Sequence, residues 1–104
     1  MAVLPYASLN SVRAAIRSRQ LLRFNYRKAL VTAEPYLLGN FRKTHALVLR
    51  GWRIGPDEGW DYFRYAEMRD VEVLSDCFPR IRDGFNSCDP KIVEIDTCIR
   101  VVVR

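Results

Sequence analysis

Short segments in which apolar and polar residues alternate follow one another along most of this chain. In the clearest of them, Leu22, Phe24 and Tyr26 alternate with Arg23, Asn25 and Arg27. A period of two places apolar side chains on one face of a strand and polar ones on the other. Several such strands must share one covered face, which favours a strongly bent sheet or a small barrel.

The segment at residues 8–19 has helical spacing instead. Ser8 or Asn10 can cap its first turn, because a short side-chain oxygen reaches the free N–H groups there. Its apolar residues fall on one helical face: Leu9, Val12, Ala15 and Ile16. A helix is therefore predicted over residues 8–19, ahead of the strands.

Five strands are predicted to follow the helix, at residues 22–26, 31–38, 44–54, 60–65 and 71–74. Pro35 cannot donate to a strand ladder, so it marks an edge or a bulge in the second strand. Gly39 and Asn40 predict a turn, and residues 55–59 predict a hairpin loop. A short bend at residues 66–70 precedes the fifth strand.

The C-terminal part, residues 79–104, is treated as an extension of the strands at 21–78. Residues 78–90 contain turn formers and should be irregular. After them, Pro90 suits a helix start, whereas the β-branched alternation at Val93, Ile95 and Thr97 favours a strand that continues through Ile99, Val101 and Val103. We favour a strand, at least from Cys98 onward, and predict one mostly β (α+β) domain over residues 1–104.

The charge of the chain indicates an anionic partner. The formal net charge is +5, and 14 of the 17 basic residues are arginines. A guanidinium group is planar and presents a fork of donors that fits phosphate. A small basic domain of this kind points to nucleic acid or a nucleotide, although solvated arginines with no partner are an equally open interpretation.

Several locations are disfavoured by the sequence. The longest apolar runs fall far short of the roughly 20 residues of a membrane span. Residues 1–9 lack the charged and apolar regions of a secretory signal. The cysteines, Cys77, Cys88 and Cys98, are odd in number and not closely spaced. These features predict a cytoplasmic protein with reduced cysteines that act as small buried apolar residues, and no membrane association.

Catalysis has little support in the sequence. His45 is the one histidine and falls inside a predicted strand, where a packed or surface imidazole is expected rather than a general base. No nucleophile elbow and no glycine-rich phosphate loop is present. The chain is therefore expected not to be an enzyme and to need no cofactor.

Metal binding is not expected either. Together with His45, the three cysteines lack the close ligand pairs of a structural zinc site. Three acidic residues, Asp57, Glu58 and Asp61, lie near a loop but lack the calcium-loop pattern. A solvated hairpin tip is the simpler interpretation.

The order of segments resembles the bacterial WYL domain. The opening Leu9-x-x-Val12-x-x-Ala15-Ile16 through Leu22-x-Phe24-x-Tyr26 is similar to the start of that family. Further similar segments are Glu34-Pro35-Tyr36-x-Leu38, His45-Ala46-Leu47 at the name-giving Trp-Tyr-Leu, and Tyr62-Phe63-Arg64-Tyr65-Ala66-Glu67-Met68-x-x-Val71 followed by Phe78. The resemblance covers about residues 9–78.

This resemblance implies a small Sm-like, SH3-type β-barrel with an N-terminal helix. It also implies a ligand-sensing or nucleic-acid-binding role in transcription regulation or in defence-associated proteins. The sequence departs from the family pattern where arginines would be expected, because Asp61 and Glu67 carry the opposite charge and Val31 or Thr32 is neutral. Arg64 matches, and only Leu47 remains of the triplet.

Residues on several predicted strands and turns could replace the altered positions. Guanidinium groups would bind phosphates and aromatic rings would stack on bases, although core packing is the favoured role for each aromatic ring. The candidate binding residues are Arg42, Lys43, Arg50, Trp52, Arg53, Tyr62, Arg64 and Arg69.

Two functions follow from these expectations. The first is a non-catalytic regulatory module that binds nucleic acid or a nucleotide through arginines, attached to or acting on a partner regulator protein. The alternative is a protein-interaction or homo-oligomerisation module without nucleic-acid affinity. Either function is compatible with a homodimer.

Overall fold

One helix and six strands occupy residues 7–100, the part of the chain that the computed structural model describes. Strand residues dominate, so the prediction of a mostly β domain with one helix is confirmed. The elements are α1 (Leu9–Ser18), β1 (Gln20–Tyr26), β2 (Ala29–Phe41), β3 (Leu47–Ile54), β4 (Gly59–Arg64), β5 (Met68–Cys77) and β6 (Ile92–Cys98), with a 3₁₀ turn at Tyr65–Glu67 between β4 and β5.

Helix α1 forms as its capping pattern predicts. The Ser8 side chain accepts a hydrogen bond from the Ser11 N–H, and the helix buries Val12, Ala15 and Ile16. Arg19 ends the helix in the left-handed conformation, with its N–H directed at the last carbonyls. Across residues 7–100, no helix has the length and apolar character to cross a membrane.

Strand β2 is the centre of an antiparallel sheet with the order β4-β3-β2-β1-β5. Its first half pairs with β1, its second half pairs with β6, and β3 lies along its other edge. Pro35 sits between the two halves, where the register with β3 shifts. The missing N–H of proline is tolerated at such an irregular point. The bulge expected at Pro35 is therefore present.

The sheet is not closed into a barrel. Among residues 7–100, β4 pairs with β3 and β5 pairs with β1, and no ladder joins β4 to β5. A small α+β domain fits this arrangement, while the expected Sm-like or SH3-type barrel is not supported by the strand pairing.

Several predicted boundaries are wrong. Gly39 and Asn40 continue β2 instead of forming a turn, and the chain reverses later. His45 lies in that reversal with a φ of 59°, not in a strand. The C-terminal strand spans Ile92–Cys98, so it ends at Cys98 instead of running onward from it, and Ile99 and Arg100 lie beyond it. The helical alternative is wrong. Val101 and Val103 lie outside the described residues.

Aromatic rings fill the main core between the sheet and the helix. Phe24, Tyr26 and Phe63 pack edge to face, with ring centroids 5.1 to 6.3 Å apart. The buried Tyr26 hydroxyl accepts a hydrogen bond from the Arg64 N–H. A smaller apolar cluster of Leu37, Val48 and Ile92 joins β2, β3 and β6.

Gly39 permits the close approach of β6 to β2. A Cβ atom at this position would lie 2.5 Å from the Glu94 carbonyl oxygen and 2.7 Å from Cγ2 of Ile92. Both distances are shorter than real contacts allow, and one involves backbone that cannot rotate away. The glycine is thus required for packing rather than for a turn.

We predict that Gly39→Ala destabilises the protein by about 1–3 kcal/mol, because the added methyl group overpacks the β2–β6 contact. Urea unfolding measures the loss, and hydrogen exchange localises it. Amides of β6 should exchange faster, while those of β1 serve as the internal reference. Equal stability of variant and parent would contradict the close approach.

A surface ion pair joins α1 to β6. Nε and NH2 of Arg13 donate to the two carboxylate oxygens of Asp96 at 2.7 and 2.8 Å, and Thr97 adds a hydroxyl donor. These hydrogen bonds, that from Arg13 first, lower the pKa of Asp96 from 3.8 to about 2.

Because the folded pKa of Asp96 is depressed, the pair stabilises the protein above about pH 4, and this contribution disappears as the pH falls towards 2. The stability difference between the parent and Asp96→Asn should shrink over that interval. Urea unfolding of both proteins from pH 7 to pH 2 tests this expectation. A difference that stays constant with pH would show that the charge of Asp96 contributes nothing.

Candidate anion-binding site

A basic cavity of about 400 Å³ opens beside the turn that joins β2 to β3. Four of its lining residues are cationic and none is acidic. The lining consists of Phe41, Arg42, Lys43, Thr44, Arg64, Pro90 and Lys91. Three members of this set are candidate residues from the sequence: Arg42, Lys43 and Arg64.

Three separate segments form the cavity. The β2–β3 turn supplies Arg42, the end of β4 supplies Arg64, and the chain ahead of β6 supplies Lys91. The Arg42 N–H donates to the Lys91 carbonyl at 2.8 Å, and Arg42 Nε donates to the Pro90 carbonyl at 3.0 Å. Both terminal nitrogens of Arg42 have no bonding partner in the described part of the chain.

A carboxylate lies near one wall of the cavity. Arg64 Nε is 3.8 Å from Glu67 Oε2, but Glu67 accepts its shorter hydrogen bond, of 2.9 Å, from Arg27. That bond from Arg27 is the main reason why the pKa of Glu67 is lowered. Glu67 thus offsets Arg27 more than Arg64, and the cavity keeps its positive character.

Tyr62 lies next to the cavity, but its ring is covered. Its hydroxyl donates to Asp89, and the carbon of the Arg50 guanidinium lies 4.1 Å from the ring centroid. The ring also packs on Phe41 with centroids 5.1 Å apart. Burial, helped by the bond to Asp89, raises the pKa of Tyr62 to about 12. This ring is therefore less open to a stacked base than the sequence alone suggested.

Arg50 shares a sheet face with Tyr62, because the two residues pair across β3 and β4. Its guanidinium also lies 5.1 Å from the Trp60 ring centroid. Arg64 is two residues after Tyr62 and projects to the same face. Arg50 thus adjoins the cavity without lining it.

Three other candidate residues lie away from the cavity. Arg53 forms an ion pair with Asp61 at 2.8 Å and packs over Phe63 on the opposite sheet face. Arg69, on β5, donates to the Ala66 carbonyl. Trp52 lies against Trp60, with its ring centroid 5.4 Å away. The eight candidates therefore do not form one continuous surface.

Sequence reasoning missed four residues of the lining: Phe41, Thr44, Pro90 and Lys91. Lys91 is an isolated lysine at the end of a segment predicted to be irregular, and the residues around it form no pattern that indicates binding. Its place in the cavity depends on contacts with residues more than 25 positions away, which no local pattern reveals.

A second cluster clamps the irregular segment at residues 78–90. The Glu34 carboxylate, with only 4% of the residue exposed, accepts two bonds from Arg82 at 2.9 and 3.1 Å and one from the Tyr36 hydroxyl. The Arg82 guanidinium also lies 4.6 Å from the Trp52 ring centroid. Desolvation raises the pKa of Tyr36, so its hydroxyl stays a donor.

The cysteines differ from expectation. Cys77 and Cys88 are exposed and Cys98 is half-buried, so the prediction of buried apolar cysteines is wrong for the first two. Cys77 ends β5 and Cys88 lies in an irregular segment, which places both at the surface. Within residues 7–100, no group of His, Cys, Asp or Glu is arranged to hold a metal ion.

Comparison with known proteins identifies one similar fold. No family model and no curated protein matches the chain. A solved structure, that of proteasome accessory factor B/C (PafBC) of Arthrobacter aurescens, matches with a TM-score of 0.63 and 26% identity. The match covers 75% of this chain and 13% of the PafBC chain. This similarity supports a WYL-like fold.

We predict that Arg82→Ala destabilises the protein by about 2 kcal/mol, because the buried Glu34 carboxylate loses its cation. Arg80→Ala is the matched control, since Arg80 is exposed two positions away and forms no hydrogen bond or ion pair within residues 7–100. Urea unfolding at pH 7 compares the two. Equal losses would show that the Glu34–Arg82 contact does not stabilise the fold.

Proposed function

We propose that this chain is a non-catalytic, WYL-like regulatory module that binds nucleic acid or a nucleotide in the basic cavity. The observation that supports this most directly is the lining itself, in which Arg42, Lys43, Arg64 and Lys91 surround a cavity without a lining carboxylate. Like charges brought together in this way repel one another, so a bound anion would relieve the repulsion.

The chemistry of the cavity suits a phosphate group. The terminal nitrogens of Arg42 form a planar fork, and the Lys43 and Lys91 ammonium groups add point charges. Phe41 and Pro90 supply an apolar wall for a sugar or a base. Arg50, with its guanidinium held over Tyr62, extends the positive surface along β3.

The similarity to PafBC and the resemblance to WYL domains support the regulatory part of the proposal. We place the module in the cytoplasm, as one domain over residues 1–104 that acts on an attached or partner regulator. In this arrangement, an anion bound at the cavity would be the signal and the rest of the chain its scaffold.

The proposal predicts that Arg42→Gln/Lys43→Gln weakens binding of fluorescein-labelled single-stranded RNA or DNA roughly tenfold at low salt, since two phosphate contacts are lost. Fluorescence anisotropy measures this. Lys28→Gln/Arg80→Gln is the control, because it removes the same charge from exposed positions outside the cavity. The control should lose much less affinity.

The salt dependence gives a second measure. Binding should weaken steeply as salt rises, and the slope of log K against log salt should fall in magnitude by about 1.4 for the cavity variant, because two phosphate contacts on a single strand are lost. No binding of either strand at low salt, or equal losses for cavity and control variants, would exclude the cavity as the site.

The alternative function, self-association, is favoured by a different observation. Val93 and Ile95 on β6 are 39% and 51% exposed. Within residues 7–100, β6 pairs with β2 along one edge and with no strand along the other. An open edge with apolar side chains can pair with a second copy. Light scattering after gel filtration distinguishes the two functions, because a dimer that forms without nucleic-acid affinity would favour self-association.

A further inference from the structure

We propose that Tyr62 and Asp89 are positioning residues for the basic cavity, and that Tyr62 acts through its hydroxyl rather than as a stacking platform. This inference rests on the proposed function, since it names the contact that holds one wall of that site in place. It concerns the wall formed by Pro90 and Lys91.

Asp89 uses both carboxylate oxygens to shape the chain ahead of β6. Oδ1 accepts a hydrogen bond from the Lys91 N–H at 2.9 Å, and Oδ2 accepts one from the Tyr62 hydroxyl. The Asp89 carbonyl also accepts the Ile92 N–H at 3.1 Å. One side chain thus closes a local turn and ties it to β4, 27 positions away.

The turn held by Asp89 carries two parts of the cavity. Lys91 contributes its charge directly. The Pro90 carbonyl accepts Arg42 Nε, so the position of the turn also decides where the Arg42 guanidinium points. Displacement of the turn would therefore move two of the four cations at once.

Tyr62 is a rigid anchor for this turn. It lies in β4 opposite Arg50, and its ring is held by the Arg50 guanidinium on its face and by Phe41 beside it. Its pKa of about 12 keeps the hydroxyl protonated at neutral pH. A protonated hydroxyl can donate to the Asp89 carboxylate, and hydrogen bonds to charged acceptors are the stronger kind.

Tyr62→Phe separates the two roles of this residue. Phenylalanine keeps the ring, so a stacking role predicts unchanged binding. A positioning role predicts weaker binding of labelled single-stranded DNA, by roughly three- to tenfold. Tyr65→Phe is the control, because Tyr65 is half-buried nearby and its hydroxyl forms no hydrogen bond within residues 7–100.

Hydrogen exchange supplies a measure that needs no ligand. In Tyr62→Phe the Lys91 and Ile92 amides should exchange faster than in the parent, whereas Tyr65→Phe should leave them unchanged.

A pair of variants at Asp89 tests the other end of the same hydrogen bond. Asp89→Asn keeps an oxygen that can accept from the Tyr62 hydroxyl, so this variant should bind DNA more tightly than Asp89→Ala, although both substitutions remove the same charge.

The outcomes separate this inference from the proposed function. If the parent binds DNA and Tyr62→Phe binds equally well, the positioning role is wrong. Equal affinities of Asp89→Asn and Asp89→Ala would also overturn it. If the parent binds neither single-stranded DNA nor single-stranded RNA, the proposed function fails, and hydrogen exchange alone then decides. Faster Lys91 exchange in Tyr62→Phe supports the anchor, and unchanged exchange overturns it.

Discussion

Strand β2 changes its partner from β1 to β6 along one edge while β3 stays paired along the other, and the rest of the fold is arranged around this strand. Pro35 lies where β1 stops pairing and β6 has not yet begun, so its missing N–H leaves no ladder bond broken. Gly39 then lets β6 approach the backbone closely. The close pairing of β6 with β2 at Gly39 also brings the segment ahead of β6 to the β2–β3 turn.

Ion pairing divides the arginines into two groups. Arg13, Arg23, Arg27, Arg53 and Arg82 each contact a carboxylate, and all of these pairs except Arg53–Asp61 connect elements that are distant in sequence. Arg42 has no such partner among residues 7–100, and Arg64 has only a distant one. These carboxylate contacts engage five of the thirteen arginines in residues 7–100, and the basic cavity brings together two of the others, Arg42 and Arg64.

The helix and the strand types were predictable because they follow from local patterns, such as the Ser8 cap and the alternation at Leu22, Phe24 and Tyr26. The turn predicted at Gly39 is wrong, because the sequence does not distinguish a glycine that permits close packing from one that permits a turn. The site was predictable only in part. Arg42 and Arg64 are recognisable as charges, whereas Lys91 depends on a hydrogen bond between Tyr62 and Asp89.

The cavity joins the β2–β3 turn to the segment ahead of β6, since Arg42 meets Pro90 and Lys91 across almost fifty residues. A chain emerging from the ribosome exposes Arg42 and Arg64 well before Lys91 becomes available. Contacts of such long sequence separation also form slowly. The four cations can therefore come together only after Lys91 has been synthesised and β6 has paired with β2, so a partly folded molecule lacks the complete cavity.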